Sequence, residues 1–267
     1  MCLLSGCASI NYELAINSNG TINERIYLPL NKEVFLTLGA SEQQYENLQN
    51  DIKLRALQDC NALKAEWYSR VDNDSDITNK DIFKQNLDIQ YLENSETFLI
   101  QFTFQNTLVR NHFYNIEEEE QTQNSKATVE TKFFTVKTTT VTKTKFATLY
   151  SDNKTLVQHY TELFYALVNY RMPDVIQSLP EPTYTYTYVT GQKRLHSDAE
   201  EIQENNGYYY HSWTIEPEAL DKEITLYTVY ARREIWYALI LGATLIATGI
   251  MFLVHFFKKI KIKQENV

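Results

Sequence analysis

The chain has 267 residues and carries 34 acidic against 25 basic side chains, a formal net charge of −9. That balance argues against nucleic acid as a partner and against a domain that spreads over anionic lipid, since both need basic patches. Three cysteines, at positions 2, 7 and 60, exclude a disulfide framework, and the seven glycines lack the spacing of a phosphate-cradling loop or a dinucleotide turn, so no cofactor is expected.

The first seven residues end in Leu4-Ser5-Gly6-Cys7, the form of a bacterial lipobox. Small residues before the cysteine admit the signal peptidase, and the thiol of Cys7 takes the lipid. The charged start and apolar core of a signal peptide do not precede it. Two readings follow. Either the start codon lies upstream and residues 1–7 are the remnant of a signal peptide, or the match is chance and the protein is tail-anchored with its domain in the cytoplasm. The first is preferred, because the motif stands at the one position where it makes sense.

Residues 10–16 and 22–29 alternate apolar with polar around Asn17-Ser18-Asn19-Gly20. This reads as a hairpin, with Asn19-Gly20 supplying positive φ angles. Ser41 with Gln44 three residues on is a capping-box signal, and a stretch free of glycine and proline follows to about Arg70. Its Tyr45, Leu48, Ile52, Ala56, Cys60, Leu63 and Trp67 recur at three- and four-residue spacing, which predicts a long amphipathic helix with one buried stripe. Residues 87–91 and 98–104 bracket Glu93-Asn94-Ser95-Glu96 as a second hairpin. The acidic run at 117–120 reads as a solvated loop.

From Val129 to Tyr150 the chain is rich in Thr, Val, Phe and Lys, which favours two strands over helix. Leu156, Tyr160, Leu163, Phe164, Leu167 and Val168 mark a second amphipathic helix, ended by Met172-Pro173. Three strands follow, at 183–190, 208–215 and 224–230. The predicted fold is α+β, an antiparallel β-rich domain with two amphipathic helices and one C-terminal transmembrane helix.

That last helix is the strongest single signal. Residues 235–257 contain no Asp, Glu, Lys or Arg and run directly into Lys258, Lys259, Lys261 and Lys263. At ~1.5 Å per residue such a stretch covers a hydrocarbon core of about 30 Å. Trp236 and Tyr237 stand where an interfacial aromatic belt begins, and Lys258 and Lys259 where a basic stop is expected. The four lysines outweigh Arg232 and Arg233 on the other flank, which places the C-terminus in the cytoplasm and the preceding domain outside. The resulting division is 1–7 signal remnant, 8–231 extracytoplasmic domain, 235–257 membrane helix and 258–267 basic cytoplasmic tail. Ala238 with Gly242, and Ala243 with Ala247, are small-xxx-small pairs that allow weak homo-oligomerisation.

Candidate sites are few. His196-Ser197-Asp198 has the residue types of a hydrolytic triad, but adjacent residues cannot form a relay and no Gly-x-Ser-x-Gly elbow exists. The histidines show no metal-ligand spacing, so no metal is expected. Tyr184, Tyr186 and Tyr188 share one strand face, with Tyr210 and Trp213 on a neighbour; they read first as core and second as an aromatic platform for a lipid, glycan or partner protein.

The lipobox at Leu4 to Cys7, the opening hairpin with Asn19-Gly20 and Leu28-Pro29-Leu30, and Tyr210-His211-Ser212-Trp213-Thr214-Ile215 ahead of the membrane helix resemble the LppM-like family of bacterial membrane-anchored lipoproteins. The resemblance covers the two ends of the chain. It implies an envelope protein with a mixed domain outside the membrane and no established catalytic residues. The expectation is therefore a non-enzymatic envelope lipoprotein that binds or scaffolds at the membrane surface, with the bilayer and an envelope protein or lipid ligand as partners. A lipid- or glycolipid-binding module is the alternative, with an apolar cavity under a long helix to accept an acyl chain; an envelope hydrolase comes behind both.

Overall fold

Apolar residues at every second position make strands wherever one face can be buried, and at every third or fourth position they make helices. Both periods are present, and the computed structural model, which describes residues 9–92, 97–114, 125–132, 134–145, 149–151, 154–179, 181–215 and 221–265, follows them. In chain order the elements begin with β1 (Ser9–Ile16), β2 (Ile22–Pro29), α1 (Lys32–Thr37), α2 (Glu42–Asn73) and α3 (Lys80–Gln85). They continue with β3 (Leu87–Tyr91), β4 (Thr97–Phe104), α4 (Thr107–Tyr114), β5 (Ser125–Thr131), β6 (Thr135–Lys145), β7 (Leu149–Ser151) and β8 (Lys154–Thr155). The remainder is α5 (Leu156–Arg171), α6 (Pro173–Ile176), β9 (Thr183–Thr190), β10 (Leu195–Ser197), β11 (Glu201–Asn205), β12 (Tyr208–Ile215), β13 (Asp221–Ala231) and α7 (Arg233–Glu265). The class is mixed α+β. Residues 1–8, with the lipobox and Cys7, the turn at 93–96 and the acidic run at 117–120 lie outside the described residues.

The two long amphipathic helices form where their apolar spacing predicts, the first behind its predicted cap and the second behind a cap of the same kind. Ser41 Oγ accepts from the Gln44 amide while Gln44 Oε1 accepts from the Ser41 amide, and Thr155 and Gln158 repeat this at the start of α5. Each box satisfies two donors that the first turn would otherwise leave unpaired. All seven apolar positions predicted for the α2 stripe are buried, and Val71 extends it by a further turn. Among the described residues there are seven helices, so the expectation of two amphipathic helices and a membrane helix was short by four. The missing ones, α1, α3, α4 and α6, span eight residues or fewer, too few turns to develop a readable stripe.

Seven strands form one sheet in the order β11-β12-β9-β1-β2-β4-β3. The prediction of purely antiparallel pairing fails at its centre, where β1 and β9 run parallel with Tyr12 beside Tyr186. A parallel pair needs a long crossover, and the chain between the two strands, including both long helices, supplies it. Alternation within a strand is the same for either direction, so the sequence carried no warning. Four strands, β7, β8, β10 and β11, were also missed. β11 is exposed throughout and shows no apolar alternation, although Asn206 and Gly207, with φ of 52° and 79°, close it onto β12 through the Asn-Gly turn that positive φ favours. In the opening hairpin only Gly20 takes positive φ; Asn19 instead accepts hydrogen bonds from the Thr21 amide and hydroxyl.

One face of this sheet is the core. Trp213, Tyr186, Tyr12, Ile26 and Ile100 lie side by side across five strands and are all buried. Helix α2 packs on β3 and β4, and α5 on α2 and β1.

By compactness the chain divides into Met1–Lys126 with Val141–Leu226, and Ala127–Thr140 with Tyr227–Val267. In the second unit, the turn between β5 and β6 meets the start of α7: the Arg232 amide donates to the Phe134 carbonyl at 2.8 Å. Only Arg232 separates the end of β13 from α7. Within α7, Arg233–His255 is long and apolar enough to cross a membrane, and none of it is buried against described residues.

Candidate functional site

Strand β2 places Ile22, Glu24, Ile26 and Leu28 on the inward face, so its alternation carries a carboxylate into the core. There Glu24 Oε1 accepts from Arg110 Nε of α4, and Oε2 accepts from the Tyr114 hydroxyl. The Arg110 guanidinium lies 5.2 Å from the centroid of the Tyr114 ring. Tyr12 takes a further hydrogen bond from Arg110 and stacks on Tyr186 with centroids 5.7 Å apart. Burial, then the Glu24 carboxylate, push the Tyr12 and Tyr114 hydroxyls well above the usual tyrosine range. For Arg110, burial alone would lower the pKa, but Glu24, Tyr12 and Tyr114 outweigh it and the net shift is upward. Both carboxylate oxygens are engaged and Glu24 has no access to solvent, so this cluster is built to hold α4 on the sheet rather than to exchange a proton with a substrate. Sequence reasoning missed it; a Glu at an inward position of an otherwise apolar alternation was the signal.

A second polar group lies on the same inward row. His211 faces Tyr188 on β9, Tyr188 faces Leu14 on β1, and Leu14 faces Glu24 on β2. Ser197 Oγ and His211 Nδ1 are 2.8 Å apart. The hydrolytic residue types singled out at 196–198 therefore separate in space: Ser197 pairs with His211, not with His196. Asp198 turns away from the imidazole, accepting from Trp213 Nε1 at 2.9 Å and from the Thr225 amide at 3.0 Å. His211 is 1% exposed, and its Nε2 has no hydrogen-bond partner among the described residues. Burial, with the neighbouring His196, lowers its pKa. A nucleophile–base pair needs a third group to fix the imidazole and an approach for substrate; here the orienting carboxylate is spent on Trp213.

The aromatic residues predicted as core or platform divide between the two faces. Tyr184, Tyr186 and Trp213 are buried inward, Tyr188 is half-buried beside His211, and Tyr210 points to the opposite face. That face carries a polar ladder in which Arg25 bonds Glu13 at 2.9 Å and Gln101 at 2.8 Å. Burial raises the Glu13 pKa, and Arg25 opposes it. No single platform results.

A small apolar cleft with a cavity volume of only about 10 Å³ opens between α2, α5 and β4, lined by Ile52, Phe98, Tyr160, Leu163, Phe164 and Leu167. Burial pushes the Cys60 thiol, on the same stripe of α2, up to about 11. Among the described residues no group of three or more His, Cys, Asp or Glu is placed to hold a metal ion.

At the start of α7, Trp236 is 50% and Tyr237 68% exposed, and Trp236 lies 5.9 Å from Phe134 between ring centroids. Lys258 and Lys259 belong to the helical backbone of α7. Cys7 and Leu4, Ser5 and Gly6 fall outside the described residues.

No family model matches the sequence. No curated protein matches it. Among solved structures the chain is similar to the NMR structure of the folded domain of LppM from Mycobacterium tuberculosis, at 8% sequence identity and a TM-score of 0.26, with 88% of this chain and 96% of that chain covered.

Proposed function

We propose that this protein is anchored in a bacterial envelope membrane by α7 and that its α+β body acts without catalysis, by binding or scaffolding at the membrane surface. The observation that carries this reading is the outer surface of α7. From Ile235 to Val254 it carries no charged side chain and none of it is buried, a surface that water would not tolerate and a bilayer satisfies. The motifs at the two ends of the sequence support an LppM-like envelope lipoprotein, with Cys7 as its acylation site. Protease treatment of intact cells, combined with mass spectrometry of the mature N-terminus, tests the arrangement. Cleavage of the domain from outside, with an acylated Cys7, is expected. A protected domain with a free N-terminus overturns the topology, and release of the protein by alkaline carbonate overturns the anchor itself.

The apolar cleft under α2 favours a second reading, a module that takes up part of a lipid chain. At about 10 Å³ it has room for about one water molecule, so an acyl chain would enter only where α2 and α5 part. Native mass spectrometry of the detergent-purified protein should then reveal retained lipid, lost on Leu163→Trp.

A further inference from the structure

The turn between β5 and β6 does more than connect two strands. Its closing bond runs from the Lys132 amide to the Thr135 carbonyl at 2.8 Å, and it presents Phe134, an apolar ring 47% exposed. That ring is fixed against the first turn of α7 by the Arg232 bond to its carbonyl and by the Trp236 ring at 5.9 Å. Phe134 and Trp236 are thus joined where the apolar surface of α7 begins, with Tyr237 beside them in sequence. Local charge is opposite to that of the chain as a whole. Residues 127–140 and 227–240 hold Lys132, Lys137, Arg232 and Arg233 against only Glu130 and Glu234, while the full chain carries −9. Lys132 and Arg233 are exposed. Arg232 approaches Glu234 only to 4.0 Å, and Lys137 stands 4.5 Å over the Tyr227 ring.

An aromatic ring at the head of a membrane helix, rimmed by cations, matches the chemistry of the headgroup layer. Aromatic rings concentrate there, and each Lys or Arg near an anionic surface strengthens binding on the order of fivefold. We infer that the β5–β6 turn is a second membrane contact, in which Phe134 enters the headgroup layer beside Trp236 while Lys132 and Arg233 bind the phosphates of anionic phospholipids. This rests on the reading of α7 as a membrane-spanning helix. The contact is a property of Lys132, Phe134 and the start of α7, and needs neither Cys7 nor the cleft under α2.

The test uses the full chain in nanodiscs, with Trp236→Phe as background and Phe134→Trp added to it, so that the difference between the two reports on position 134 alone. A parallel Ile246→Trp variant on the same background reports on the middle of α7. Lipids brominated near the headgroup should quench position 134, and deep-brominated lipids position 246. Brominated phosphatidylglycerol, diluted in phosphatidylcholine, should quench position 134 severalfold more than brominated phosphatidylcholine at the same fraction. Lys132→Glu with Arg233→Glu should remove that excess. Quenching at 246 with none at 134, or equal quenching by the two headgroups, overturns the inference and leaves the spanning helix intact. Absence of quenching at 246 overturns the spanning helix and the inference together.

Discussion

Glu24 on β2 and Arg110 on α4, 86 residues apart in the chain, form an ion pair inside the core with the Tyr114 hydroxyl on the second carboxylate oxygen. A pair in this position costs desolvation energy that its mutual attraction and added hydrogen bonds must offset. Breaking it leaves an uncompensated charge where water cannot follow. Arg110→Ala should therefore destabilise the domain by about 3–5 kcal/mol, whereas replacing both partners with Glu24→Leu and Arg110→Met should recover most of that loss. Urea denaturation followed by circular dichroism measures both. A double variant no more stable than Arg110→Ala would mean that the pair does not act as a unit.

The two capping boxes make a milder prediction. Ser41→Ala and Thr155→Ala each remove a side chain that receives a first-turn amide, and each should cost about 1 kcal/mol. The sites lie on different helices, so their effects in the double variant should add. Thermal or chemical unfolding of the three variants checks this.

His211 sets a pH dependence whose sign follows from its lowered pKa. The unfolded chain binds a proton near the ordinary histidine value of about 6.5, and the folded protein only at lower pH. Above about 6.5 the neutral imidazole carries no penalty in either state. As pH falls through 6.5 towards the folded value, the unfolded state takes up the proton first and stability declines, levelling off below the folded pKa. The difference between the stability profiles of the native protein and His211→Leu should show this acid-side decline. A difference that stays flat between pH 7 and pH 5, both on the order of the histidine range, contradicts the burial of the imidazole.

Ser197 and His211 stand at the separation of a nucleophile and its base, so their inertness is itself testable. With Asp198 held by Trp213 and Thr225, no carboxylate among the described residues orients the imidazole, and an activity-based fluorophosphonate should leave Ser197 unlabelled. Labelling that disappears in Ser197→Ala and in His211→Leu would restore the hydrolase reading.

A charge in the centre of α7 tests the anchor. Ile246→Arg places a cation that costs roughly 2.5–3.5 kcal/mol at the middle of an inserted helix. The variant should shift towards the carbonate-soluble fraction, whereas Ile246→Leu should not.

Legibility in the sequence followed the range of the interaction. The capping box at Ser41, the stripe from Tyr45 to Trp67 and the apolar run of α7 depend on neighbours within four residues or on composition alone, and they could be read directly. Strands β3, β4, β9 and β12 were likewise visible because one of their faces is buried. β11 was not, since an exposed edge strand needs no apolar face, and the short helices lacked turns enough to show a period.

Sequence by itself determined the two long amphipathic helices, the alternating strands and the length and apolarity that fit α7 to cross a membrane, because periodicity, capping and hydrophobic length are properties of contiguous residues. Tertiary structure alone decided the parallel pairing of β1 with β9, the pairing of Ser197 with His211 rather than His196, and the meeting of Glu24 with Arg110. It also joined Phe134 to Trp236, 102 residues further along the chain. Each of these depends on which distant segment the chain brings alongside. For the sheet, that choice is made by collective burial of its inward face, and no spacing within a single segment encodes it.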